Sequence, residues 1–149
     1  MASAFPKPQK RGKKPKKRLP TKKVRQKKAK AKCLALWSKI IRAKGACVFI
    51  GKLVGRKWHE RCSTPLNAMH CLPKGAYPAL RLHLDNGMAG CGEVHMYYTK
   101  HPEEFGILLR QFWGPEKTEE MLALARTQIK IDYEAELVVL EEKAREHGL

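Results

Sequence analysis

None of the first 59 residues is acidic, yet 21 of them are Lys or Arg; the first carboxylate is Glu60. A segment so charged repels itself and offers little apolar surface to bury, so it cannot form a core unaided. The remaining 90 residues hold 14 Asp and Glu against 10 Lys and Arg, a mild acidic excess, within a chain whose formal charge is +17. The sequence therefore divides into a cationic arm and a body. Residues 1–32, rich in Lys and interrupted by proline, are expected to be disordered when free. The Pro-free section from Thr21 to Lys32 could become helical on a phosphate backbone. A cationic arm is drawn to polyanions, because each neutralised phosphate releases condensed counterions, and nucleic acid is the first candidate.

Other classes are disfavoured. No run of about 18 apolar residues is present, and no apolar segment follows the N-terminal cations, so neither a membrane span nor a secretory signal is expected. Five cysteines (Cys33, Cys47, Cys62, Cys71 and Cys91) suit a reducing cytoplasm better than a disulfide framework. Inert buried thiols or a metal site are the two readings of them.

Periodicity places the elements. Leu34, Trp37, Ile40 and Ile41 share one helical face and Gly45 is a natural stop, predicting a first helix over 33–44. Residues 46–72 read as short strands or knuckles and 73–87 as loop, with Asp85-Asn86-Gly87 as a turn before a brief strand at Met88–Cys91. Pro102 opens a helix carrying Phe105, Leu108, Leu109 and Phe112, closed by Gly114. Pro115 starts a last helix with Leu122, Ala125, Ile129, Tyr133, Leu137 and Leu140 on its buried face. That helix braces the body or forms a homodimer seam. The expected organisation is arm 1–32, one α+β domain over 33–115, and a C-terminal helix over 116–149.

The stretch from Leu66 to Phe105 carries the chemistry. It holds His70 on a strand, a loop with Lys74 and Arg81, the Asp85-Asn86-Gly87 turn, Cys91 and His95 one helical turn apart, and His101 before Pro102. In order and spacing it resembles the HNH endonucleases, and more closely their phage recombination branch. "LRLHLDN" is similar to that branch's "LRFDPDN", and "CGEVHMYYTKHPEEF" to its "CxxCH" and "CHxYFTxHPxEF". The resemblance spans roughly residues 45–115.

It implies a ββα-metal core (strand, loop, strand and a helix cradling one divalent ion) that hydrolyses DNA phosphodiester bonds. His70 would be the general base, and Asn86 would ligate metal or fix the loop that orients the base. His95 would ligate Mg²⁺ or Mn²⁺, with His101 and Asn67 as further donors. Lys74 and Arg81 would hold flanking phosphates, and Lys10, Arg11, Lys13, Lys14, Lys16, Lys17 and Arg18 of the arm would add affinity for DNA, branched DNA by the same analogy. Met69 stands directly before His70, where many HNH sites have Asp, Glu or His, so the metal shell is thin. Two alternatives stay open: a DNA-binding protein that keeps the fold without cleavage, and an RNA-binding or ribosome-associated protein.

Many HNH proteins also hold a structural zinc between two CxxC pairs. In Cys47-Val48-Phe49-Ile50 and Cys91-Gly92-Glu93-Val94 the second Cys of each pair is aliphatic. The favoured expectation is that Ile50 and Val94 pack in place of zinc and leave Cys47 and Cys91 as buried thiols. The alternative is that Cys62 or Cys71 completes a rearranged site. His59 and His83 are expected on the surface.

Overall fold

A computed structural model describes residues 19–149 of the chain. Its elements are α1 (Lys22–Arg42), β1 (Lys52–Val54), β2 (Lys57–His59), β3 (Leu66–His70), β4 (Gly87–Cys91), α2 (Gly92–Lys100), α3 (Pro102–Ala125) and α4 (Tyr133–Glu146). Two 3₁₀ turns, Pro78–Leu80 and Leu84–Asn86, lie between β3 and β4. The fold is mixed α+β with two separate antiparallel hairpins, β1–β2 and β3–β4. No helix among the described residues is long and apolar enough to cross a membrane.

The first helix starts at Lys22, eleven residues before the expected 33, so the basic segment is ordered from Thr21 onward. The Thr21 side chain accepts a hydrogen bond from Val24 N–H, an N-cap. Ala29, Cys33, Trp37, Ile40 and Ile41 then form a buried stripe three and four residues apart. The stripe packs against Leu140 and Ala144 of α4. Each large side chain buried this way contributes roughly 1.5–3 kcal/mol. Acids of α4 offset the cations: Arg25 approaches Glu134 at 3.5 Å, and Gln26 donates to Asp132 and Glu134 while accepting from Tyr133 N–H. The cationic helix thus meets part of its counter-charge inside the chain.

The single C-terminal helix expected after Pro115 is divided. α3 runs on through Ala125 but kinks at Gly114, whose φ of 75° is open to glycine and strained for other residues. Residues 126–132 leave the helix before Asp132 caps α4, its side chain accepting from Glu134 and Ala135 N–H. β-branched Thr127, Ile129 and Ile131 weaken the helix there, and Ile129 is exposed rather than buried. This break turns α4 back onto α1.

The β3–β4 hairpin is the centre of the body. Leu66 pairs with Cys91 and His70 with Gly87. Met69 and Met88, register partners on one face, join Cys91, Val94, Tyr98, Phe105, Phe49 and Leu109 in a continuous core shared with α2 and α3. The other face approaches α1 so closely that a Cβ on Gly87 would run into Ile41 and Trp37. The Trp37 indole N–H donates to His83 C=O at 3.1 Å and ties α1 to the loop before β4.

Candidate functional site

Two groupings of chemically capable side chains flank α2. The first is a cleft of about 580 Å³ whose walls include His70, Lys74, His95 and Thr99, with Trp37 and Tyr98. His70 ends β3 and His95 lies one turn into α2, so the strand–loop–strand–helix order brings both to one opening. The His70 ring is half-buried and stacked on Trp37, with centroids 4.0 Å apart and planes 14° from parallel. Its Nε2 lies 3.0 Å from Arg81 C=O. A carbonyl can only accept, so Nε2 carries the proton and Nδ1 keeps its lone pair. Burial is the main cause that lowers the His70 pKa below its ordinary value; the hydrogen bond to Arg81 opposes it, and nearby Lys74 and Arg81 charges add to the lowering. The ring is therefore a neutral base at pH 7.

Asn86 is fully buried, and all three of its hydrogen bonds go to backbone. Oδ1 accepts from Leu72 N–H at 2.7 Å, while Nδ2 donates to Leu72 C=O at 3.0 Å and Leu80 C=O at 3.1 Å. Its side chain is thereby committed to the loop and has no room to ligate a cation. Of its two expected roles, only loop fixing matches this geometry. Arg81 is likewise occupied: its guanidinium donates to Tyr133 Oη at 2.6 Å and Lys74 C=O at 3.1 Å. It joins the loop to α4, whereas Lys74 itself is exposed at the cleft wall.

The expected cation donors are only partly assembled. Asn67 Nδ2 lies 3.4 Å from His95 Nδ1, so these two are neighbours. His101 is not with them; its ring stacks on Tyr97 at 4.4 Å and its Nδ1 is 3.9 Å from Glu104. No carboxylate lines the cleft among the described residues. An imidazole and an amide fit a hydrated hard cation only if water and a substrate phosphate supply the other oxygens.

The second grouping is a compact set of soft donors. Cys47, His59, Cys62 and Cys91 bring one ligand atom each to within 4.8 Å of one another, and could hold a metal ion. From His59 Nε2 the sulfurs of Cys91, Cys62 and Cys47 lie at 3.4, 3.6 and 3.8 Å. A tetrahedral zinc with ordinary Zn–S and Zn–N bonds spaces its donors by about 3.5–3.8 Å. Donor type and spacing thus suit zinc rather than Mg²⁺ or Mn²⁺. Cys62 is exposed as a residue, but its sulfur faces the other three donors. Desolvation, then hydrogen bonding to Cys91 and Cys47, pushes its thiol up to about 12. A bound cation would reverse that by stabilising the thiolates.

The aliphatic packing expected in place of zinc is only half present, and Cys47 and Cys91 are gathered with two further donors. Val94 is buried, but Ile50 is 45% exposed. His59, expected on the surface, ends β2 and points its ring inward at 8% exposure. Cys62 takes the place that the alternative reading left open, whereas Cys71 stays a separate buried thiol, pushed up to about 12 by burial. The missed signal was His59-x-x-Cys62, itself a metal-ligand spacing. His83 is half-buried, and its Nδ1 accepts from Asp85 N–H as a turn cap.

The arm residues Lys10, Arg11, Lys13, Lys14, Lys16, Lys17 and Arg18 lie outside the described residues. Comparison with protein-family models, with curated proteins and with solved structures finds no match.

Proposed function

We propose that the protein is a divalent-metal-dependent endonuclease of the HNH kind, acting on DNA, with a structural zinc beside its catalytic cleft. The observation that carries this reading is the state of His70. A neutral imidazole, its Nε2 proton tied to Arg81 C=O, sits at the end of the first strand of a strand–loop–strand–helix unit with its Nδ1 free to act. That arrangement suits proton removal from a water molecule attacking a phosphodiester.

The chain's own groups divide the work. His70 Nδ1 takes the proton of the attacking water as the new P–O bond forms and the bond to the leaving oxygen breaks. Trp37 and the Arg81 carbonyl hold the ring in place. Asn86 fixes residues 72–80 and with them the carbonyl of Leu80, next to Arg81. Lys74 offers its ammonium to a phosphate at the cleft mouth. His95 and Asn67 would hold the hard cation, which when bound polarises the phosphate and stabilises the leaving oxygen. The zinc would join the β1–β2 hairpin and the 60–62 turn to the end of β4, directly ahead of α2. Branched DNA as substrate rests on the sequence resemblance, as does an origin in phage recombination.

Supercoiled plasmid and a labelled four-way junction, each with Mg²⁺ or Mn²⁺, provide the test. The wild type is expected to nick at least one of them, and His70→Ala to lower the rate by a hundredfold or more. Equal rates from the two proteins would exclude His70 as the base.

A further inference from the structure

The β1–β2 hairpin is not used by the chemistry above, yet it displays an unusual surface. Trp58 is 67% exposed and Leu53 52% exposed. They are register partners across the two strands, so both side chains leave the same face of the hairpin. Trp58 is the most exposed aromatic residue of the hairpin, and its neighbour His59 points the opposite way, into the cysteine cluster. The turn is Gly55–Arg56, with Gly55 at φ 62°, the position where a two-residue primed turn takes glycine. The hairpin is thus short, fixed in register and held at its end by His59.

The surroundings of that apolar pair are cationic. Arg56, Lys57 and Arg61 are exposed and line one cleft with Trp58, although Lys57, like Lys52, leaves the strands on the His59 side. Among the described residues three acids lie toward this side: Glu60, exposed, Glu93, whose carboxylate accepts from the Ser63 hydroxyl at 2.9 Å, and Glu104, whose carboxylate accepts at 2.7 Å from the Tyr97 hydroxyl that lies against Gly55. A flat aromatic face rimmed by Lys and Arg is the chemistry of a base-stacking platform on a nucleic-acid strand: the cations meet phosphates and the indole meets a base that has left its stack. A protein partner with an apolar patch would gain little from Arg56, Lys57 and Arg61.

Position supports the same occupant. A second cleft, about 640 Å³, lies between this hairpin and α2, with Arg56, Trp58, Arg61, Glu93 and Tyr97 among its walls. The cleft holding His70 uses the His95 and Thr99 face of the same helix. α2 therefore separates the two clefts, giving Tyr98 to the His70 side and Val94 to the hairpin side.

We infer that the β1–β2 hairpin is a second nucleic-acid contact, in which Trp58 and Leu53 stack on an unpaired base of the DNA whose backbone Arg56, Lys57 and Arg61 hold, on the opposite side of α2 from the phosphate in the His70 cleft. The inference deepens the nuclease reading and depends on it for the position of the cut, but not for the stacking itself.

The test measures fluorescence anisotropy with a labelled duplex bearing a single-stranded flap and with the same duplex blunt, without added Mg²⁺ or Mn²⁺ so that nothing is cut. The wild type is expected to prefer the flap, and Trp58→Ala to reduce the flap-to-blunt affinity ratio roughly tenfold. Trp58→Phe should restore most of that ratio, because a ring still stacks. Unchanged zinc content and melting temperature in Trp58→Ala show that the hairpin has kept its anchor. If Trp58→Ala unfolds, acrylamide quenching of the wild-type indole gives the second readout: flap DNA should protect it and blunt duplex should not. Trp37 is 2% exposed and contributes little to that signal, and a Trp113→Phe background removes the half-buried Trp113. An unchanged ratio, an equal loss on both DNAs, or no protection would overturn the inference. So would a concentration-dependent dimer lost in Trp58→Ala, which would assign the face to a second copy. A wild type that cuts nothing with either metal but shows the Trp58-dependent flap preference would end the nuclease reading and leave the hairpin contact standing.

Discussion

Asn86 shows how one side chain can be secure in a motif and yet have a role only coordinates reveal. Asn86→Ala would remove three hydrogen bonds to backbone, leaving Leu72 N–H and Leu72 C=O without the Asn86 partner while Leu80 C=O keeps its bond from His83 N–H. At about 1 kcal/mol or more for each, the expected loss is about 3 kcal/mol, measurable by urea unfolding. Asn86→Asp sets a buried carboxylate against the carbonyls of Leu72 and Leu80 and should cost at least as much. His70 makes a pH prediction. Its folded pKa lies below the ordinary value of 6.5, so protonation is disfavoured in the folded state. Stability from this residue is present above 6.5 and is lost as pH falls through the lowered folded value. Cleavage should share that acid limb, because only neutral imidazole can accept the water's proton. Melting temperatures of wild type and His70→Gln between pH 5 and 8 would check the first part: the acid loss should be smaller in the variant.

At the scale of elements, the cysteine cluster links segments with little packing of their own. β1 and β2 are three residues each, and a hairpin that short is marginal in water. Metal binding would supply what their packing lacks. One equivalent of zinc per chain is expected by plasma emission on untagged protein. Cys91→Ser or a strong chelator should remove it and lower the melting temperature, whereas Cys71→Ser should leave the zinc in place. How much of this was legible in the sequence depends on the range of the signal. The helices at Leu34–Ile41 and Pro102–Phe112 follow from local periodicity, and the strand at Met88–Cys91 from its flanking turn. The meeting of α1 with α4 is encoded by residues over a hundred positions apart, such as Gln26 and Asp132, and neither local charge nor propensity announces it. For the same reason the basic segment from Thr21 read as an arm. Cys47 and Cys91 were visible as half-motifs, but His59 joins them only because the β1–β2 register turns it inward.

The whole molecule combines a +17 chain with an acidic α4 that offsets part of the charge of α1. On the proposed reading, much of the attraction for DNA should come from the cations that α4 leaves exposed and from the N-terminal segment. Removing residues 1–18 deletes eight Lys and Arg. The slope of log affinity against log salt should then fall by up to about 7 if every one meets a phosphate. A slope that stays the same would place the contacts entirely on the folded body. The central claim, that His70 is the base of a metal-dependent DNA nuclease, is tested most directly by following nicking of supercoiled plasmid and a four-way junction with Mn²⁺ for wild type and His70→Ala side by side. The account predicts cutting by the wild type and a loss of a hundredfold or more in the variant; equal rates, or no cutting by a zinc-loaded, folded wild type, would contradict it.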